Sequence, residues 1–199
     1  MISSPLSSRL YQRATNGPAF IQARYGSARG LVRLWLSQIA RRAGAYRVFE
    51  QVRWGEVRRL VFVCSGNICR SPYAEHRAAL AGFPAISVAL RGDANQPADP
   101  TARATARLAG LDLEAHRSTR VVDAGIRRGD LLIAMEPWQA RELRVCYPLQ
   151  DVQVTLLGLW SYPQQPHLHD PFSLSEAYFR TCFRAIDSGV AAILDRVKG

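Results

Sequence analysis

The 199-residue chain predicts an α/β fold built on a parallel sheet, with a helical extension at its N-terminus. Three observations carry that prediction. The apolar runs Leu60–Val63, Ile86–Leu90, Leu131–Ala134 and Val152–Leu157 read as buried parallel strands. Helical patterns separate them, in the alternation that builds α/β domains. Residues 58–199 suffice for one hydrophobic core, whereas residues 1–57 differ sharply in composition. There are no internal repeats.

In chain order the extension comes first. No Asp or Glu precedes Glu50, and nine arginines against two glutamates give residues 1–57 a formal +7 of the chain's +10. The basic balance belongs to this segment and gives little reason to infer a nucleic-acid partner. Residues 1–28, rich in Ser, Arg, Gly and Pro, are expected to be poorly ordered. Across residues 31–54, Leu31, Leu34, Trp35, Ile39, Ala43, Tyr46, Phe49 and Val52 mark an apolar helical face, with Gly44 a weak point. Four uses compete: a helix packed on the main domain or on a second copy, an amphipathic helix on an anionic membrane surface or partner protein, a cleaved transit peptide, or an upstream start-site artefact. No run is long enough to span a bilayer.

The first strand leads directly into Cys64-Ser65-Gly66-Asn67-Ile68-Cys69-Arg70, followed by Ser71-Pro72. A strand ending at Val63 delivers the Cys64 sulfur to the carboxyl edge of a parallel sheet, where open α/β folds bind ligands. Amides from Ser65 to Arg70 can curl around one anion, and the next helix adds its unpaired N–H groups and positive dipole end. Gly66 and Asn67 tolerate left-handed backbone angles. Ser71 is a candidate cap and Pro72 a first helical residue. Arg70 supplies a planar fork for two phosphate oxygens. These surroundings favour a thiolate at Cys64, which the Ser71 hydroxyl can stabilise as a leaving group. The pattern describes a nucleophile at the base of an oxyanion cradle.

Further along, Asp99 as cap, Pro100 at the first position and Gly110 after the last turn bracket one helix. Pro137 opens another, running towards Arg144. From Ser175 to Val197, Ala177, Tyr178, Cys182, Ile186, Val190, Ile193 and Leu194 recur at helical spacing and predict a long C-terminal helix. The four cysteines form no secreted framework and fit a reducing, cytoplasmic setting. Cys69 is close enough to Cys64 for a reversible disulfide that would guard the nucleophile. Cys146 and Cys182 read as small core residues.

The stretch VCSGNICRSPYAEH resembles the active-site signature of the low-molecular-weight protein tyrosine phosphatases. The likeness extends over roughly residues 59 to 197 through Asp99-Pro100, Gly110-Leu111-Asp112, His116-Arg117-Ser118, Asp130 to Glu136, Leu156-Leu157-Gly158 and Asp170-Pro171-Phe172, in the family's order. It implies a four-stranded doubly wound parallel sheet and hydrolysis of protein phosphotyrosine through a phosphocysteine. Expelling the tyrosine oxygen calls for an acid that then activates water, and the family's late Asp-Pro pair assigns that work to Asp170, directly after the long irregular segment Ser161–His169. His116 is implied to brace the phosphate loop through Asn67, and Phe172 to wall the substrate slot. Bacterial relatives imply a tyrosine autokinase controlling exopolysaccharide production as partner.

No metal or cofactor is implied. His167 and His169 are taken as solvated loop residues, since no Cys or acidic cluster completes a site, and His76 as packed or outward-facing. Two departures from the family pattern stand out. Leu90 is expected to replace a serine that helps to hold the loop asparagine. The segment from 90 to 99 is short and lacks an aromatic, and Ser173 stands where a second aromatic is often found, so the substrate rim looks trimmed. One rival activity is thioredoxin-coupled arsenate reduction, but the closely spaced further cysteine pair it needs is missing. The other is a non-catalytic phosphotyrosine-binding scaffold, against which the intact Cys64, Arg70 and Asp170 set argues.

Overall fold

The computed structural model describes residues 17–147 and 152–199. Four strands form a wholly parallel sheet: β1 (Arg59–Cys64), β2 (Ala85–Ala89), β3 (Asp130–Ala134) and β4 (Gln153–Leu156), in the spatial order β2-β1-β3-β4. In register, Cys64 pairs with Ala89 and Val63 with both Val88 and Ala134. Each strand lies within two residues of its expected limits. β1 is central, so the loop after Cys64 opens at the carboxyl edge between neighbours on both sides, the crevice where open α/β sheets place ligands.

Side-chain alternation divides the sheet into two cores. Leu60, Phe62, Leu131 and Ile133 point to one face, covered by α4 (Arg70–Leu80), α5 (Pro100–Leu108) and α8 (Glu176–Lys198). Val61, Val63, Leu132, Val154 and Leu156 point to the other, where they meet α6 (Pro137–Cys146). The short helix α7 (Leu157–Trp160) follows β4 directly. Helix α5 starts as its sequence dictates, with Asp99 accepting from the amides of Thr101 and Ala102, and Gly110 beyond its end has φ +75°. Helix α8 is capped by Ser175 and buries Tyr178, Cys182, Ile186, Val190, Ile193 and Leu194, the expected stripe. It is the common neighbour of α4, α5 and α7.

The extension differs from its expected form. Residues 17–28, expected to be poorly ordered, contain α1 (Gly17–Tyr25), which packs against α8; residues 1–16 lie outside the described residues. The single face expected over 31–54 is broken. Helix α2 (Ala28–Arg42) ends at Ala43, Gly44 turns the chain at φ +80°, and α3 (Arg47–Glu50) is one turn long. The break lets Tyr46 and Phe49 enter the second core, where the Phe49 carbonyl accepts a 2.6 Å bond from the buried Thr155 hydroxyl. Residues 46–49 are thus built into the domain. Cys146, expected inside, is exposed at the end of α6, whereas Cys182 is buried as expected.

Candidate active site

The chain leaves β1 at Cys64 and folds back over its own sulfur. The Asn67 amide donates to Cys64 Sγ at 3.2 Å, and the Ser71 hydroxyl lies 3.0 Å from the same atom. Asn67 makes the loop possible, because it takes up φ +55°, a left-handed value that asparagine tolerates better than most residues. Gly66 does not share that angle. Helix α4 begins at Arg70 rather than Pro72, so Ser71 lies inside its first turn and its hydroxyl faces Cys64 and Asn67 instead of capping.

The Asn67 side chain is fully held. Its Oδ1 accepts from the Thr119 amide at 2.9 Å, which fixes its orientation, and Nδ2 donates to Ser71 Oγ at 2.9 Å and Ser87 Oγ at 2.8 Å. Because Nδ2 donates to Ser71, the Ser71 proton is left for the Cys64 sulfur. Ser87 in turn donates to Glu75. The asparagine therefore does not lack a serine brace, as the sequence at position 90 implied. Alternation along β2 sends Val88 to the second core and Ser87 to the opposite side, where Asn67 lies; Leu90 packs against the second core. His116 Nε2 donates to the Asn67 carbonyl at 2.7 Å, the expected brace, and its burial lowers the ring's pKa, opposed by that carbonyl.

Arg70 is enclosed. One guanidinium nitrogen, Nη1, donates to Glu136 Oε1 at 2.8 Å and to the Leu168 carbonyl at 2.7 Å, while Nη2 lies 2.6 Å from Asp170 Oδ2. Burial opposes its charge, but Asp170 and Glu136 outweigh it and hold it protonated. Among the described residues Arg70 Nε has no hydrogen-bond partner, a donor of the kind an oxyanion satisfies. Glu136 is buried, and although burial opposes its ionisation, Arg70 holds its carboxyl below the usual range. Trp138 Nε1 donates to its other oxygen at 3.2 Å. Glu136 had no role in the sequence reading. Its signal was an acidic residue between a buried strand and a helix-opening proline, since a buried carboxylate demands a partner.

The loop bearing Asp170 is pinned at Leu168, whose amide donates to the Met135 carbonyl at 3.0 Å. Its two histidines are not solvated. His167 is buried 3.6 Å from Glu136, and burial lowers its pKa to about 4; His169 is half-buried with its pKa also lowered by burial. Asp170 is half-exposed, with Oδ1 accepting from the Phe172 amide, and Phe172 stands exposed beside it. Cys69 is buried at the start of α4 with its thiol pushed up by burial. Ser65 Oγ accepts from Gln139 at 3.3 Å, and Ile68 packs against the first core. His76 packs edge-on near His116.

A central parallel strand ending in a cysteine, an amide loop around its sulfur and a buried guanidinium beside a carboxylic acid define a cysteine-dependent phosphate-loop enzyme. The chain belongs to the low molecular weight phosphotyrosine protein phosphatase family, whose family model matches residues 59–199, and is thus a low-molecular-weight protein-tyrosine phosphatase. It is 31% identical over 144 residues to the probable low molecular weight protein-tyrosine-phosphatase EpsP of Ralstonia solanacearum, covering 71% of this chain and 97% of that protein. It is 31% identical over 130 residues to the phosphatase Etp of Escherichia coli K12, covering 64% and 86% of the two chains. Among solved structures, the Erwinia amylovora tyrosine phosphatase amsI superposes with a TM-score of 0.60 at 25% identity, over 70% of this chain and 92% of that one.

Proposed function

We propose that the protein hydrolyses protein phosphotyrosine through a phosphocysteine, with Cys64 as nucleophile, Arg70 as the phosphate fork and Asp170 as acid and base. The supporting observation is the placement of Arg70 Nη2 2.6 Å from Asp170, which puts the proton donor beside the group that grips the phosphoryl oxygens. In the first step the Cys64 thiolate attacks phosphorus and the P–O bond to tyrosine breaks, with Asp170 protonating the departing phenolic oxygen. In the second, the Asp170 carboxylate takes a proton from water as that water attacks phosphorus. The P–S bond breaks, and inorganic phosphate and the thiolate are released. Loop amides and Arg70 stabilise the charge on the three equatorial oxygens in both steps. Ser71 stabilises the sulfur as a leaving group, and Ser65, Gly66, Ile68 and Cys69 complete the loop around the phosphate. Phe172 forms one wall for the aryl ring, and Cys69 guards Cys64 by reversible disulfide formation.

The substrate we propose is a tyrosine autokinase controlling exopolysaccharide production. Cys64→Ser should abolish turnover of an aryl phosphate while retaining oxyanion binding, and Asp170→Ala should slow hydrolysis at least about a hundredfold. Turnover by Cys64→Ser would remove the nucleophile from its role. Reduction of arsenate with thioredoxin, without aryl phosphate hydrolysis, would favour the reductase.

A further inference from the structure

Helix α2 reverses the usual arrangement of a surface helix. Its small residues Gly30 and Ser37 are buried, while Val32, Trp35, Leu36 and Ile39 are exposed, Trp35 by 64%. These four recur at i, i+3, i+4 and i+7 and therefore form one continuous stripe. At 3.6 residues per turn, Arg29 and Arg33 border it on one side and Arg42 on the other, all three exposed. Among the described residues, none of Arg24, Arg29, Arg33, Arg42 and Arg47 forms a salt bridge, and no acidic residue precedes Glu50 in the sequence.

We propose that this stripe is a docking surface for an anionic lipid leaflet. The four apolar side chains enter the acyl boundary, and the flanking arginines meet the lipid phosphates. Charge disfavours the obvious competitor, because a second copy would bring the same cationic face against itself. A nucleic-acid backbone would satisfy the arginines but leave the apolar stripe without a partner. No helix among the described residues is long and apolar enough to cross a membrane, so the contact is peripheral. Arg33 and Leu36 also line a groove with Pro137, Trp138 and His167.

The test is cosedimentation of the full chain with vesicles of phosphatidylcholine alone or mixed with phosphatidylserine, alongside native mass. Binding should require phosphatidylserine and weaken by about fivefold for each arginine among Arg29, Arg33 and Arg42 that is replaced. The double variant Trp35→Ser, Ile39→Ser should lower vesicle affinity by more than about tenfold while hydrolysing a small aryl phosphate at the wild-type rate. Equal sedimentation of wild type and variant overturns the proposal, as does a dimer that the variant dissolves. So does a monomer that fails to sediment, which would point to residues 1–16 or a protein as the cover.

The opposite side of the same segment touches the loop that bears Asp170. Ser27 Oγ lies 3.2 Å from His169 Nε2, and the Gln38 amide donates to the Gln164 carbonyl at 2.5 Å. Gly30 packs between the two, because a Cβ there would stand 2.0 Å from the Tyr25 carbonyl oxygen and 2.7 Å from His169 Cδ2. Thr181 of α8 donates to the Ala23 carbonyl at 2.8 Å and anchors the preceding helix. We infer that Ser27 and Gln38 are positioning residues for Asp170, holding its loop from outside the region that the family shares. This inference rests on Asp170 being the proton donor.

Its test compares phenyl phosphate, whose poor leaving group needs the proton, with p-nitrophenyl phosphate, which needs it less. The double variant Ser27→Gly, Gln38→Ala keeps α2 capped, since glycine caps nearly as well as serine. It should slow phenyl phosphate at least about tenfold more than the nitro ester, with the thermal midpoint little changed. Asp170→Ala is measured beside it. If Asp170→Ala shows no dependence on leaving group, the proton-donor reading falls. If it does and the double variant matches wild type on both esters, the positioning inference alone falls.

Discussion

Arg70 and Glu136 face each other at 2.8 Å with both side chains almost wholly removed from water. The pair fixes the direction of the guanidinium fork, because Nη1 is fully committed to Glu136 and the Leu168 carbonyl, while Nη2 lies against Asp170 and Nε has no hydrogen-bond partner among the described residues. A buried charge is tolerated only when paired, so the fork and its aim are inseparable from the carboxylate behind it.

Glu136→Gln removes that compensation while keeping the shape. We expect a loss of roughly 3 kcal/mol in chemical denaturation and a fall in kcat/KM for an aryl phosphate of at least about tenfold, as the fork loses its direction. An unchanged denaturation midpoint would show that the pair contributes nothing net.

Ser87→Ala leaves Asn67 Nδ2 with one acceptor fewer and Glu75 without its donor. A buried donor left unsatisfied costs about 1–3 kcal/mol, and the loop's left-handed residue loses support, so thermal stability and kcat should fall together. Ser87→Thr, which retains the hydroxyl, should restore most of both.

His167 makes stability depend on pH. Its folded pKa, lowered to about 4 by burial, lies below the value the unfolded chain adopts. Above about pH 6.5 the ring is neutral in both states and nothing is lost. As pH falls from there to about 4, the unfolded chain takes up a proton that the folded ring refuses, and stability drops by roughly 2–3 kcal/mol. Denaturation of His167→Gln across this window should show a shallower slope than wild type by that amount.

Gly158→Ala places a methyl group 1.7 Å from the Gln165 carbonyl oxygen, which is backbone and cannot swing aside. The acid loop must lift from α7 to admit it. A loss of at least about 2 kcal/mol and a selective slowing of phenyl phosphate over p-nitrophenyl phosphate are expected, read by calorimetry and steady-state kinetics.

Strands and the Cys64–Arg70 loop were legible because each is written locally. Apolar runs mark buried strands, and Cys64 to Arg70 is contiguous, so position in the chain nearly equals position in space. Partners that arrive from afar were less so. Ser87 and Asn67 are 20 residues apart, and only the pairing of β1 with β2 decides that the serine, not position 90, reaches the loop. His167 and His169 looked solvated because their loop is polar and irregular; the helix that covers them lies more than a hundred residues away. The extension misled for the opposite reason. Its apolar residues do follow a helical period, but Gly44 redirects Tyr46 and Phe49 into the second core and leaves Trp35 and Ile39 on the outside.

The 23-residue helix α8 touches α1, α4, α5 and α7. Because one neighbour is shared by the extension, the phosphate-loop helix and the helix under the acid loop, we expect these parts to open together. The slowest-exchanging amides of α8 should report the same opening energy as those of β1. If the two match, the extension forms a single cooperative unit with the catalytic loop, and damage at its packing contacts with α8 would be felt at Cys64 as a population of molecules that are not folded at all.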